Sequence, residues 1–106
     1  MKILEYLNED GSSPFALWFA GIEARAASKV AIALTRMQAG NLSNVKGVGS
    51  GLLEYRIDYG PGYRIYFGRD GDRLIILLAG GTKKRQQSDI ATALSRWVDY
   101  KQRKGR

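Results

Sequence analysis

The period of apolar positions changes several times along the chain, and each change marks an element. Met1 to Leu7 reads as a short strand that ends in the turn-forming run Asn8-Glu9-Asp10-Gly11. Phe15, Trp18, Phe19 and Ile22 then recur at helical spacing. Ser12 and Ser13 supply a cap ahead of them, and Pro14 suits the first helical position, where its missing N–H is not needed. A second helix is predicted from about Glu23 to Ala39, stopping at Gly40-Asn41. At about 100° per residue, Ala26, Val30, Leu34 and Met37 fall on one face, the core face. Arg25, Lys29 and Arg36 fall together on another, with Ile32 among them. That stripe is either a solvated face or part of a contact surface.

Asn41 to Gly51 is Gly-rich and polar, which predicts a loop. Leu53, Tyr55 and Ile57 next alternate with Glu54, Arg56 and Asp58, the signature of a half-buried strand. Gly60-Pro61-Gly62 turns the chain, and Ile65 and Phe67 then alternate with Arg64 and Tyr66. Asp70-Gly71 predicts a hairpin. The strand after it, Leu74 to Ala79, is apolar on both faces, as an interior strand is. Beyond Gly80-Gly81, Lys83-Lys84-Arg85 leads into a last helix from about Gln87, with Ser88 as its cap. Ile90, Leu94, Trp97 and Val98 form its apolar stripe. The order β-α-α-β-β-β-α predicts an α+β fold, helices packed on an antiparallel sheet, in a single domain over residues 1–106.

Composition narrows the chemistry. The chain of 106 residues is 44% hydrophobic and 25% charged, which excludes a disordered or fibrous protein. It contains no cysteine and no histidine, so disulfides, thiol nucleophiles, His-containing dyads and nearly every zinc site are excluded; no metal and no cofactor is expected. Apolar runs such as Leu74 to Ala79 are far too short to span a bilayer, and Glu5, Glu9 and Asp10 break up the N-terminus. A soluble, cytoplasmic protein without membrane contact is expected. Net charge is +7, and its distribution is uneven. Lys83, Lys84, Arg85, Arg96, Lys101, Arg103, Lys104 and Arg106 face only Asp89 and Asp99 in the last stretch. Such an end attracts polyanions, although a solvated basic tail has the same composition.

The polar set of the two central strands, Glu54, Arg56, Asp58, Arg64 and Tyr66, is expected to share one open sheet face, overhung by Lys83 to Arg85. Without His or Cys, acid–base work there falls to Lys, Arg, Tyr or a carboxylate. The cations and the phenol titrate far from neutrality. They are suited to clamping phosphate and stabilising a pentacovalent transition state. RNA cleavage needs little more, because the attacking 2′-hydroxyl belongs to the substrate. Cross-strand arginine–carboxylate pairing on a merely solvated face is the other reading of the same pattern.

Ser13-Pro14-Phe15 with Trp18-Phe19, the run Glu54 to Phe67, Leu77-Leu78-Ala79-Gly80-Gly81-Thr82-Lys83, Gln86 and Asp89-Ile90 together resemble the addiction-module killer proteins. These are the HigB-like branch of the RelE/ParE toxin superfamily. The resemblance covers residues 3–100 and implies a type II toxin with a RelE-like microbial RNase fold and a cognate antitoxin of helix-turn-helix type. It further implies a metal-independent endoribonuclease that cuts mRNA on the ribosome. Arg56 and Arg64 match the family's strand cations, and Lys83, Lys84 and Arg85 match the basic residues after its last strand. The implied catalytic set is Arg56, Arg64, Lys83 and Lys84; Tyr66, Arg85 and Asp89 are the implied substrate-binding set. Asp58 stands where RelE has a second cation, and Ile90 stands where RelE and HigB carry an aromatic. A ParE-like, non-catalytic inhibitor of DNA gyrase is therefore the alternative that the resemblance leaves open.

Overall fold

A computed structural model describes residues 1–105. Strand β1 (Lys2–Glu5) is followed by helices α1 (Pro14–Gly21) and α2 (Ala24–Gln38), then β2 (Val45–Gly49), β3 (Leu52–Ile57), β4 (Tyr63–Arg69) and β5 (Leu74–Thr82). A single 3₁₀ turn, Lys83–Arg85, leads into α3 (Gln86–Lys104). The α+β class holds, with two additions. Val45–Gly49, expected as loop, pairs antiparallel with β3 and adds a fifth strand. The sheet order is β1-β5-β4-β3-β2, and β1 runs parallel to β5, so the sheet is mixed. Two valines among glycines were too sparse to show a period, and β2 survives on its edge by pairing with the apolar β3.

Helix starts follow the local chemistry. Ser13 Oγ accepts from the Ala16 N–H at 3.0 Å ahead of Pro14, and Glu23 caps α2 by accepting from the Ala26 N–H at 3.0 Å. Ser88 does not cap α3; its hydroxyl donates instead to the Arg85 carbonyl at 3.2 Å.

Both sheet faces are covered. On one, α1 and α2 bury Phe15, Ala26, Val30 and Met37 against Tyr55, Ile57, Ile65, Phe67, Ile75 and Leu77. On the other, α3 buries Ala93 and Trp97 against Leu52, Tyr66, Ile76 and Leu78. Gly68 allows this approach: a Cβ there would lie 2.7 Å from the Trp97 ring. Of the stripe expected on α3, only Trp97 is fully engaged; Ala93 takes the central place and Val98 is exposed.

This second layer overturns the expectation of an open polar face. Glu54 and Tyr66 are fully buried, Glu54 bonded to Gln86 at the start of α3 and Tyr66 packed in the α3 layer, and Arg64 is only 7% exposed. The alternation separates the two faces, but it carries no sign of the helix that covers the second one.

One irregularity in β5 sets up the site. Tyr66 pairs with Ala79 and Phe67 with Leu77, which leaves Leu78 as an extra residue, a β-bulge. Leu78 and Ala79 therefore both turn toward α3, and every later residue is reversed in facing. Arg96 of α3 donates to the Leu78 carbonyl at 2.7 Å and satisfies the bulge.

Candidate functional site

The register sets Arg56 opposite Arg64 and Glu54 opposite Tyr66, a two-by-two polar patch on the α3 face of β3 and β4. Like charges directly opposite one another repel. Glu54 offsets this: its Oε1 accepts from Arg56 Nε at 2.7 Å and lies 3.6 Å from Arg64 Nε. Its Oε2 accepts from Gln86 Nε2 at 2.7 Å. A carboxylate removed from water needs such partners, and here it has three.

Arg64 is only partly satisfied. Its Nη1 donates to the Tyr63 carbonyl at 3.3 Å, while its buried Nε makes no hydrogen bond. The turn after β3 folds toward it. Gly62 takes φ +80°, which favours glycine, and its Cα lies close to Lys83 and Arg64: a Cβ there would be in ordinary contact with Lys83 Cβ at 3.4 Å and Arg64 Nη1 at 3.5 Å. Lys83 N–H donates to the Gly62 carbonyl at 2.8 Å and draws the 3₁₀ turn over the same spot. The result is a cleft of about 430 Å³ whose charged lining is Arg56, Arg64, Lys83 and Asp58. Two planar guanidinium groups and an ammonium against one carboxylate leave the cleft with an excess of positive charge, chemistry suited to an anion such as a phosphodiester.

A second cleft, of about 310 Å³, lies on the other side of the 3₁₀ turn, lined by Trp18, the Gly80–Thr82 backbone, Arg85 and Asp89. The reversal at Leu78 aims Gly80 at α1 and Gly81 at α3. A Cβ on Gly80 would lie 2.1 Å from the Trp18 ring, and one on Gly81 would lie 1.8 Å from Asp89 Oδ2. The two glycines thus let an indole and a carboxylate close on one strand from opposite faces. Asp89 Oδ2 is buried without a hydrogen-bond partner. Burial raises the Asp89 carboxyl above the ordinary carboxylate range, against the opposing pull of Arg85 and Arg96.

The structure divides the residues expected from sequence. Arg56, Arg64 and Lys83 meet in the first cleft, and Arg85 and Asp89 in the second. Lys84 is exposed on the 3₁₀ turn and lines neither. Tyr66, expected to contact substrate, lies fully buried, its hydroxyl unpaired and out of reach of either cleft. Burial lifts its pKa further above the usual phenol value, and the charges of Glu54 and Asp89 add to the rise. Sequence reasoning gave no site role to Trp18 or Gly81; it placed Glu54 on an open face, with arginine pairing as the other reading, where the structure buries the carboxylate and pairs it with both arginines. Paired glycines at the end of an apolar strand were the available signal for close approach there.

Among known proteins, residues 17–98 match the family described as "Phage derived protein Gp49-like (DUF891)". An uncharacterised protein of Haemophilus influenzae is 40% identical over 80 residues, spanning 74% of this chain and 81% of the relative. The matched segment runs from Trp18's neighbour Leu17 to Val98 and so includes both clefts.

Proposed function

The chain belongs to the Gp49-like family of phage-derived proteins, a toxin-like family related to the RelE and HigB toxins, and from that premise we propose that it is the toxin of a type II toxin–antitoxin pair. Its activity is the metal-independent cleavage of mRNA on the ribosome. The observation that supports this reading is the convergence of Arg56, Arg64 and Lys83 on one cleft. In cleavage the substrate's 2′-oxygen bonds to phosphorus, the bond to the 5′-oxygen breaks, and the proton of the 2′-hydroxyl ends on the departing 5′-oxygen. Charge accumulates on the non-bridging oxygens of the pentacovalent state, and preorganised cations held by Glu54 stabilise that charge without reorganising.

The partner is an antitoxin with an acidic surface. Arg25, Lys29 and Arg36 are exposed on α2, away from the two clefts, and complementary charge there steers association. Lys29 Nζ stands 5.7 Å over the Tyr59 ring, which fixes one end of the stripe.

Expression of the chain alone in bacterial cells tests the reading. Growth arrest with rapid loss of mRNA is expected, and Arg64→Ala, verified as folded by circular dichroism, abolishes both. Arrest with intact mRNA and broken DNA instead assigns the protein to gyrase inhibition. Reversing Arg25, Lys29 and Arg36 weakens antitoxin binding in calorimetry more than reversing Arg56 and Lys83 does; the opposite ranking places the antitoxin over the cleft.

A further inference from the structure

We propose that one buried water bridges Tyr66, Arg64 and Asp89 between the sheet and the start of α3, and that Tyr66 acts through it as a positioning residue for the other two. Among the described residues, three buried side-chain polar atoms have no hydrogen-bond partner: Arg64 Nε, the Tyr66 hydroxyl and Asp89 Oδ2. Left so, each costs stability, and native proteins answer such atoms with a protein group or an ordered water. The three are not scattered over the molecule. All lie in the layer between the sheet and α3.

The register brings them together. Arg64 and Tyr66 are two residues apart on one face of β4, about 6.8 Å along the strand. Arg64 is paired with Gly81 of β5, and Tyr66 with Ala79. Asp89 Oδ2 stands over Gly81, in the space that a Cβ would fill. It is thus about one strand spacing, roughly 4.8 Å, to the side of Arg64. The charges that act on the Tyr66 hydroxyl are those of Glu54, Asp89, Arg64 and Arg56, the same group met from the phenol. A water at about 2.8 Å from each neighbour joins atoms about 5.6 Å apart, the scale of this gap.

The donors and acceptors suit water better than an ion. Arg64 Nε–H and the Tyr66 O–H donate, and an ionised Asp89 accepts. A water takes the first two on its lone pairs and gives one hydrogen to Asp89 Oδ2, about the three bonds that a buried water usually makes. Its second hydrogen is left for Glu54 Oε1, which lies 3.6 Å from Arg64 Nε, too far for a direct hydrogen bond. A metal ion there is repelled by the Arg64 guanidinium, and an anion by Asp89 and Glu54. Engaging Nε also fixes the plane of the guanidinium that lines the first cleft. The bridge does not depend on what that cleft binds.

Nuclear magnetic resonance on the isolated protein tests the site. The Arg64 Nε–H signal is expected to exchange slowly with solvent and to show cross-relaxation with a long-lived internal water. That contact is read on the parent and needs no substitution. Tyr66→Phe removes one donor to the water. It is expected to lower the urea midpoint, to move the Arg64 Nε–H signal, and to raise the pH at which the Asp89 carboxyl titrates. Arg85 and Arg96, the other charges acting on Asp89, stay in place. Asp89→Asn also moves the Arg64 Nε–H signal. An unanswered hydroxyl gives the opposite sign, because phenylalanine then deletes a buried orphan: the urea midpoint rises and the Asp89 titration stays where it was. That result overturns the bridge, and so does the absence of a water contact at Arg64 Nε. A lowered midpoint with the Arg64 signal and the Asp89 titration both unmoved assigns Tyr66 to packing alone and overturns it as well.

Discussion

Gln86 Nε2 donates a 2.7 Å hydrogen bond to Glu54 Oε2, joining the first residue of α3 to a carboxylate fully buried in β3. The other oxygen of Glu54 holds Arg56 and faces Arg64. One side chain thus links both cleft arginines to the start of α3.

Removing that carboxylate strands Arg64, which is buried and left without a counter-charge. Glu54→Ala is expected to destabilise the fold by about 3 kcal/mol, read as a shift in the urea midpoint. Glu54→Gln keeps an acceptor for Gln86 and the side chain's shape, so it loses less stability but as much toxicity. Equal stability of Glu54→Ala and the parent contradicts the bridging role.

Neutralising Lys83, Lys84 and Arg85 changes the salt dependence of RNA binding. If all three contact phosphates, the slope of log affinity against log salt flattens by about 2–3 units. Lys84 is exposed and lines neither cleft, so Lys84→Gln alone contributes least of the three. A slope unchanged in the triple variant assigns the turn to solvent.

Gly80→Ala pushes a methyl group to within 2.1 Å of the Trp18 ring. Overpacking of this kind costs about 1–3 kcal/mol. The loss shrinks when Trp18 is already leucine, and a double-mutant cycle by urea unfolding measures the coupling. Independent effects of the two substitutions indicate that α1 yields instead.

Asp89 gives a pH signature of definite sign. Its carboxyl is raised in the folded protein by burial, with Arg85 and Arg96 opposing. The folded state then holds the proton more tightly than the unfolded one. The destabilisation starts as pH passes the unfolded value, about 3.9, and is complete above the raised folded value. Asp89→Asn is expected to unfold at higher urea than the parent at pH 7, with the gain fading toward pH 4. Loss of stability at pH 7 identifies Asp89 as a structural anchor.

The pattern of periods along the chain revealed seven of the eight main elements, the local caps at Ser13 and Glu23 aside. Ile65 and Phe67 against Arg64 and Tyr66 also separated the two sheet faces correctly. The alternation could not say what covers the second face. That depends on Trp97 finding room over Gly68, a long-range fit between residues 29 positions apart. Arg56, Arg64 and Lys83 were legible as a set because two sit on paired strands and one follows the next strand. The separation of Arg85 and Asp89 into their own cleft was not, because it follows from one unpaired residue in β5. A bulge leaves no periodic trace in a strand that is apolar on both faces.

Leu78 therefore acts as a change of parity. Up to Leu77, odd-numbered residues of β5 face α1 and α2; from Gly80 onward, even-numbered ones do. Deleting one residue at that point would leave the core half of the strand in place while exchanging the partners of everything after it. The half that packs and the half that lines the clefts are thus set independently, and a single-residue insertion or deletion is enough to move a side chain from one side of the sheet to the other.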